Sequence, residues 1–363
     1  MKRCATAAVI LLFPAAAAFA ADDWQNGVGS DWQKTLAEAR HEGKVTVTGM
    51  GLLAEPLPAA FKRDTGIDLD YLPGPASDTA ARFMREVEAG HPTIDISLGG
   101  GQEVALIKKE GLTPVKAQFM LSGVTPSSNW VDGHPVWFDT AQEYMFQGSN
   151  WVFGQPLVNA KLLKPEDVRS WQDLLKPEFK GKIAADDPRV PGPGQAEAAY
   201  IASTFGIEFL KKLYIGQNVT LTRDSRQLIE WVARGVHPIA LGALPVIIER
   251  FRSQGFKELT VVSPTDGPGT VLGGFSVLKE AKDAPHPAAA RVFINWYASQ
   301  PGQQTYTRTM MEPSTRTDVK ESNIPDYIIP KPGVKYLNQY QEAWYVQERP
   351  QLQAAIIEAM GGR

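Results

Sequence analysis

A pattern of apolar and polar positions over residues 219–246 predicts a strand, a helix and a second strand. The middle part carries apolar residues at the spacing of one helical face: Leu228, Ile229, Val232 and Ala233. A β-prone run around Leu221 precedes them. Gly235, a typical helix-ending residue, separates them from an apolar run that continues to Leu241. This order is typical of a sheet covered by helices.

The same alternation predicts strands at 44–48, 67–72 and 94–98 and helices at 56–65, 79–89 and 102–110. Ligands of open parallel sheets bind beyond the carboxyl ends of the strands. The residues that follow two of these predicted strands are therefore expected at a ligand site: Met50, Gly51, Gly99, Gly100 and Gly101. The alternative for these glycines is a tight turn that needs a positive φ.

The chain is predicted to form two α/β lobes with a ligand cleft between them. The first lobe comprises residues 31–138 and about 275–363, and the second comprises 152–262. Crossing segments are placed at about 139–151 and 263–274, because 136–146 and 151–158 have the pattern of long strands. Trp137 could line the cleft or pack in the core, and Gly274 is expected at the ligand site where the chain returns.

Two further positions could bind an anion at a helix amino end. Arg223 and Arg226 flank the start of the helix in 219–246, where N–H groups and paired guanidinium hydrogen bonds favour carboxylate or phosphate. Gly194 and Gln195 precede another predicted helix. For the arginines, the alternative is that both are surface residues or pair with Asp224 and Glu230. For Gly194 and Gln195, the alternative is an ordinary turn and cap.

Composition narrows the class of protein. The 363 residues include 37 basic and 40 acidic side chains, a net charge of −3, without a basic run that would favour nucleic acid or anionic membrane. Residues 1–20 have the basic start, apolar centre and small-residue cleavage site of a secretory signal peptide. Cys4, the sole cysteine, lies within it, which suits a periplasmic protein without disulfides.

Catalytic signatures are absent from the sequence. It contains no H-E-x-x-H, G-x-S-x-G or C-x-x-C, and its five histidines are scattered without metal-ligand spacing. We therefore predict a binding protein with no cofactor and no metal centre. An exported enzyme on the same fold is the alternative from another class.

Seven segments, in order, resemble a known family: AEARHEGKVTVTG, FKRDTGIDLDYLPG, EVEAGHPTIDISLGG, LLKPEFKGKIAADDP, RQLIEWVARGVHPIALG, GGFSVLKEAKDAPHPAAARVFINWYASQPGQQ and EPSTRTD. Together they resemble the family 1 extracellular solute-binding proteins of bacterial ABC importers, especially the ferric-ion-binding branch. The resemblance implies a monomeric, two-lobed type II periplasmic-binding-protein fold that closes on its solute. It also implies an ABC permease and an ATPase as partners.

The chain departs from the ferric branch at one motif. That branch binds iron through an N-Y-Y tyrosine pair, where this chain has Gly242-Ala243-Leu244-Pro245, which offers no hard anionic oxygen. Other members of the family bind phosphorylated sugars, phosphonates, thiamine or polyamines. The arginines favour a small phosphorylated or carboxylated solute.

A cationic solute, thiamine or a polyamine, is the alternative. It would need carboxylates in the cleft, for which Asp139, Asp186 and Asp187 are the candidates. Ferric iron is a further alternative. A binding protein that signals to a receptor instead of a permease would have the same sequence features.

Overall fold

The computed structural model describes residues 24–25, 29–131, 133–320 and 323–361, so the predicted signal peptide lies outside the described residues. The helices are α1 (Ser30–Glu42), α2 (Pro56–Thr65), α3 (Ala76–Glu88), α4 (Pro193–Phe205), α5 (Ile207–Lys211), α6 (Ser225–Ala233), α7 (Pro245–Ser253), α8 (Pro287–Ala298), α9 (Gln300–Met310) and α10 (Arg349–Ala359). The first seven strands are β1 (Lys44–Gly49), β2 (Asp68–Pro73), β3 (Ile96–Gly99), β4 (Leu112–Thr113), β5 (Val136–Trp137), β6 (Phe146–Gln147) and β7 (Trp151–Phe153). The others are β8 (Leu157–Asn159), β9 (Ile183–Asp186), β10 (Thr220–Thr222), β11 (Ile239–Leu241), β12 (Leu259–Val261), β13 (Thr270–Leu272), β14 (Val277–Ala281) and β15 (Leu337–Asn338).

The first lobe is built on a sheet with the strand order β2-β1-β3-β14-β6-β5, and β4 pairs with β14. Strands β1, β2 and β3 are parallel, as the alternating sequence pattern predicts, and β14 returns antiparallel to β3. Apolar faces of the surrounding helices cover this sheet. Phe61 of α2 packs edge-to-face on Phe293 and Trp296 of α8, so residues from distant parts of the chain share one core.

The second lobe is built on a sheet with the order β10-β9-β11-β8-β12. The strand–helix–strand prediction for 219–246 is confirmed as β10, α6 and β11. Asp224 caps α6 by accepting hydrogen bonds from the N–H groups of Arg226 and Gln227. The apolar face of the helix is buried against this sheet. Both lobes therefore have parallel strands whose carboxyl ends continue into loops and helix starts.

A third, small sheet joins the lobes. Its strands are β7 and β13, which run antiparallel, and β15, which pairs in parallel with β13. Strand β7 continues toward β8 of the second lobe, and β13 leads back to β14 of the first. The two passages of the chain between the lobes are thus paired with each other.

The long strand predicted over 136–146 is wrong. Those residues form the short strands β5 and β6 with a turn between them, and both belong to the sheet of the first lobe. The carboxylate of Asp139 holds the turn by accepting from the N–H groups of Glu143, Tyr144 and Met145, at 2.8 to 3.3 Å. A buried carboxylate that accepts several backbone N–H groups favours a compact turn over an extended strand.

The C-terminal segment, residues 337–359, also differs from the sequence expectation, which placed all of 275–363 in the first lobe. Helix α10 packs on α4 and α5 of the second lobe, where Trp344 and Ile356 are buried. The same segment bonds to the first lobe, because the Glu342 N–H donates to the carbonyl of Phe138 at 3.0 Å. The C-terminal segment therefore contacts both lobes.

A buried carboxyl group lies beneath the joining sheet. Glu312 accepts a hydrogen bond from the hydroxyl of Tyr306 at 2.8 Å and lies close to Gly274 and the indole nitrogen of Trp151. Gly274 has a φ of 57°, and a Cβ there would lie 2.6 Å from that nitrogen. Burial raises the pKa of Glu312 to about 8. The junction between the lobes thus encloses a carboxyl group that is mostly protonated at neutral pH.

We expect Glu312→Gln to reduce the amount by which the free energy of unfolding falls as the pH rises. The pKa of Glu312 rises from 4.5 when solvated to about 8 when folded, so its stabilising proton is fully present below pH 4.5 and lost as pH rises through about 8. Urea unfolding at about pH 5 and about pH 9 should show a smaller loss for the variant, by at least about 1.4 kcal/mol.

Glu348→Gln, at an exposed position, is the matched control and should lose as much stability between the two pH values as the parent protein does. Burial also raises the pKa of Glu280 to about 8, so part of the slope persists in all three proteins. Identical slopes for Glu312→Gln and the parent would contradict the assignment.

Candidate functional site

A cavity of about 500 Å³ lies between the two lobes. In the first lobe, the residues just beyond β1, β2 and β3 line it: Met50, Gly74 and Gly100. In the second lobe, the connections after β9, β10 and β11 contribute Gly192, Ser225 and Leu244. The carboxyl ends of all six strands therefore face one space, which is the position expected for a ligand in parallel sheets.

Five of the residues proposed from the sequence line this cavity: Met50, Gly51, Gly100, Gln195 and Gly274. The others lie outside the lining: Gly99, Gly101, Trp137, Asp139, Asp186, Gly194, Arg223 and Arg226. The expectation that a ligand binds near strand ends and helix starts thus located several residues of the lining, whereas none of the charged side chains proposed from the sequence lines the cavity. Roles in binding stay predictions for all of them.

The loop at the end of β3 is held by a buried ion pair. Lys279 of β14 lies 3.3 Å from Glu103 and donates to the carbonyl of Gly100 at 2.8 Å, while the Ser97 hydroxyl donates to Glu103 at 2.7 Å. Gly101 packs on the ring of Phe138, where a Cβ would overlap it. The loop therefore presents Gly100 to the cavity in a fixed conformation.

The amino end of α4 is already occupied by a carboxylate. Asp186 accepts from the N–H of Gly194 at 3.3 Å and from the hydroxyl of Ser225 at 2.9 Å. Burial raises the pKa of Asp186, and its hydrogen bonds with Ser225 and Gly194 act in the opposite direction. Asp186 thus lies directly behind two cavity-lining elements without lining the cavity itself.

Both arginines near the start of α6 point elsewhere. The Arg223 side chain is 69% exposed and pairs with Asp187 at 3.2 Å, and Asp187 also binds Arg189. The guanidinium of Arg226 lies over the ring of Phe251, 5.6 Å from its centre. Because Asp224 occupies the N–H groups of the first turn, this helix end is satisfied from within the chain.

Trp137 lies in an aromatic cluster of the first lobe. Its ring contacts Phe119 and Phe146 at centroid distances of 5.8 and 6.0 Å. The sequence left two roles open for Trp137, lining the cleft or packing in the core, and its position matches packing in the core. Asp139 serves the β5–β6 turn.

The C-terminal segment supplies cavity residues that sequence reasoning missed. Arg349 lines the cavity, donates to the amide oxygen of Gln195, and lies 4.4 Å from the centre of the Tyr345 ring. Among the described lining residues, Arg349 is the one charged side chain. No local motif pointed to it, because Gln195 is 154 positions away in the sequence.

The amino end of α3 faces the same cavity from the first lobe. Gly74, Pro75, Ala76 and Ser77 all line it. The first N–H groups of a helix have no acceptor within the helix, and together with the helix dipole they favour a negative ligand group. The cavity is therefore bordered by a helix amino end from one lobe and a guanidinium packed on the other.

Residues 45–304 match the model of the bacterial extracellular solute-binding protein family, which covers more than half of the chain. The chain belongs to this family. A putative 2-aminoethylphosphonate-binding periplasmic protein of Salmonella typhi is 22% identical over 268 residues, covering 73% of this chain and 74% of that protein. The solute-binding assignment agrees with the resemblance found in the sequence.

Solved structures confirm the two-lobed periplasmic-binding-protein fold. The periplasmic binding protein AfuA from Actinobacillus pleuropneumoniae, with exogenous fructose-6-phosphate bound, superposes with a TM-score of 0.65 and 19% identity, covering 87% of this chain and 97% of that one. The apo ferric ion-binding protein A of Pasteurella haemolytica gives a TM-score of 0.66 and 16% identity, covering 88% and 98%. The family and these structural neighbours are binding proteins, not enzymes.

Within the described ranges, no helix is both long enough and apolar enough to cross a membrane. The same residues contain no cluster of three or more histidine, cysteine, aspartate or glutamate side chains that could hold a metal ion.

We predict that Gly194→Ala destabilises the protein, whereas Gly51→Ala does not. A Cβ at Gly194 would overlap the backbone carbonyl of Asp186 and displace the start of α4. A Cβ at Gly51, which lines the cavity, would meet no atom within 4 Å. Urea unfolding should show a loss of about 2 kcal/mol for Gly194→Ala and less than about 0.5 kcal/mol for Gly51→Ala. Equal stability of the two variants would contradict the described contact.

Proposed function

We propose that this solute-binding protein binds a small organic anion in the periplasm and delivers it to an ABC permease and its ATPase. The observation that carries the proposal is the position of Arg349. It is the one charged side chain among the described residues that line the cavity, and it lies in the same cavity as the amino end of α3. A guanidinium has five N–H donors, and one hydrogen bond recorded for Arg349 goes to Gln195. A carboxylate, phosphate or phosphonate could accept the others.

The proposed mechanism is closure of the lobes around the solute. The lining comes from the loops of both lobes, from the joining sheet and from the C-terminal segment. A solute that contacts all of them has its full set of contacts in one relative arrangement of the lobes, so binding shifts the population toward that arrangement. A permease that recognises this arrangement would discriminate loaded from empty protein.

Ferric iron and cationic solutes are less well supported. Iron needs hard anionic oxygens, and the described lining residues include no carboxylate, while the hydroxyl of Tyr340 donates to the carbonyl of Gly274. The carboxylates considered for a cation are engaged: Asp139 by backbone N–H groups, Asp186 by Ser225 and Asp187 by arginines. The relatives add support for an anion, because the names of two of them refer to fructose-6-phosphate and 2-aminoethylphosphonate.

A thermal-shift panel would test the class of solute. It should contain sugar phosphates, phosphonates, aromatic and aliphatic carboxylates, polyamines, thiamine and ferric citrate. A ligand at about 100 times its Kd adds about 2.7 kcal/mol to the free energy of unfolding. We expect stabilisation by anions. Stabilisation by amines alone would overturn the anion proposal and direct attention to Asp186.

We expect Arg349→Gln to weaken anion binding by about 2 kcal/mol, roughly 30-fold, because a charged hydrogen-bonding partner is lost from a buried contact. Isothermal titration with the best anion of the panel would measure it. Arg349→Lys should bind with intermediate affinity, since it keeps the charge without the paired N–H geometry.

Arg226→Gln is the matched control and should bind like the parent, because its guanidinium lies over Phe251 outside the cavity. Parent-like affinity of Arg349→Gln would falsify the assigned role of Arg349. For the transport role, a strain lacking this protein should lose high-affinity uptake of the same anion, and undiminished uptake would contradict delivery to an importer.

A further inference from the structure

The apolar part of the cavity is formed largely by aromatic rings. Six of them line it: Trp151, Phe153, Phe275, Tyr340, Trp344 and Tyr345. Trp151 and Phe153 are two positions apart on β7, so their side chains lie on the same face of the strand. Phe275 follows β13, and the other three rings belong to the C-terminal segment.

Five of these rings, all except Phe275, pack on another ring of the set. Trp151 packs edge-to-face on Phe153 at a centroid distance of 5.4 Å, and Tyr345 contacts Tyr340 and Trp344 at 5.9 and 5.7 Å. The Tyr340 hydroxyl donates to the carbonyl of Gly274. A wall of fixed rings needs little ordering when a ligand arrives, and it offers the largest contact area to another flat ring.

Most polar side chains around the cavity are already engaged. The Ser225 hydroxyl donates to Asp186, and the amide of Gln195 accepts from Arg349. In the amide orientation that satisfies its neighbours, Gln339 donates to the carbonyl of Ala196 and accepts from the N–H of Tyr200. A sugar would lose the hydrogen bonds that its hydroxyl groups make with water and would find few partners in the cavity to replace them. An apolar ring makes no such hydrogen bonds with water, so it does not incur this cost.

Three buried polar atoms in the lining are unpaired among the described residues: the indole nitrogens of Trp151 and Trp344 and the amide oxygen of Gln102. Both indoles are at least nine-tenths buried, at 2% and 5% exposure. Because each of these atoms is fully buried, none of them is open to a ligand in the cavity, and they offer a polyhydroxylated body no partner either.

The charged group is placed beside the rings. The guanidinium of Arg349 lies over the Tyr345 ring, so an anionic group bound to it lies at the edge of the aromatic wall. A single molecule that contacts both the guanidinium and the aromatic wall would carry its anionic group on a flat ring, or one or two bonds away from it.

We propose that the solute is an aromatic or conjugated-ring anion, with its carboxylate, phosphate or phosphonate on Arg349 and its ring against the six aromatic side chains. This inference rests on the proposed anion-binding function and narrows its substrate class. Aliphatic anions and sugar phosphates lack the flat apolar face that the wall complements, so they should bind more weakly.

Matched probes test the ring and the charge separately. The ring-bearing anions are phenylphosphonate, phenyl phosphate, benzoate and indole-3-acetate; the comparison compounds are butylphosphonate, glucose-6-phosphate and neutral benzyl alcohol. Isothermal titration and tryptophan fluorescence should show at least one ring-bearing anion binding tenfold or more tighter than every comparison compound. Tryptophan emission should change on binding, since two indoles line the cavity.

The outcomes separate the two proposals. Tighter binding of butylphosphonate or glucose-6-phosphate than of every ring-bearing anion would overturn the ring inference and leave the anion-binding function standing. Benzyl alcohol binding as tightly as the ring-bearing anions would overturn the anion-binding function. Failure of all four ring-bearing anions to bind would overturn the ring inference.

A pair of variants gives an independent readout. Phe275 is half-buried in the cavity lining, so Phe275→Leu should leave the fold intact and weaken the ring-bearing anion about fivefold, with less than twofold effect on butylphosphonate. Phe256→Leu, a half-buried ring that packs on Phe251 away from the cavity, is the control and should change neither affinity. Equal weakening of both probes by Phe275→Leu would contradict ring stacking.

Discussion

The antiparallel pairing of β7 with β13 is the constraint on which the rest of the structure depends. These strands carry the chain out of the first lobe and back into it, and their register places Leu272 opposite Trp151. Because both residues also line the cavity, the connection between the lobes is at the same time a wall of the ligand site. Pairing the two passages restricts how the lobes can move apart, so relative motion becomes a bend about one small sheet.

The parallel strands of both lobes therefore end at the same cavity. In each lobe, strands that share a direction deliver their following loops to the same edge of the sheet, and the joining sheet turns both edges toward each other. Buried polar contacts fix these loops: Lys279 holds Gly100 in the first lobe, and Asp186 holds the start of α4 in the second. The chain satisfies the α4 and α6 helix ends with its own carboxylates, whereas the amino end of α3 and Arg349 line the cavity.

The C-terminal segment changes the character of the cleft. It bonds to the first lobe through Glu342 and to the second through Gln353, whose amide donates to the carbonyl of Pro188 at 3.0 Å. Between these anchors it contributes Trp344, Tyr345 and Arg349 to the cavity, and Tyr340 lines it just before the first anchor. The cavity thereby gains these rings and a guanidinium, and both are positioned by packing that involves distant parts of the chain.

The sequence by itself determined the alternation of strands and helices, the parallel strands at the centre of each lobe, the solute-binding family and the strand-end positions Met50, Gly51 and Gly100. These follow from local periodicity, from capping and turn residues and from the rule that sheets bind ligands at their carboxyl ends, so no knowledge of distant contacts is needed. The charged side chains proposed from the sequence do not line the cavity. Arg223 and Arg226 stood at a helix start, but Asp187 and the Phe251 ring engage them in three dimensions. Only the tertiary structure decided that Arg349 and its neighbouring rings enter the cavity, because α10 packs against α4 and no local pattern records a contact between residues 154 positions apart.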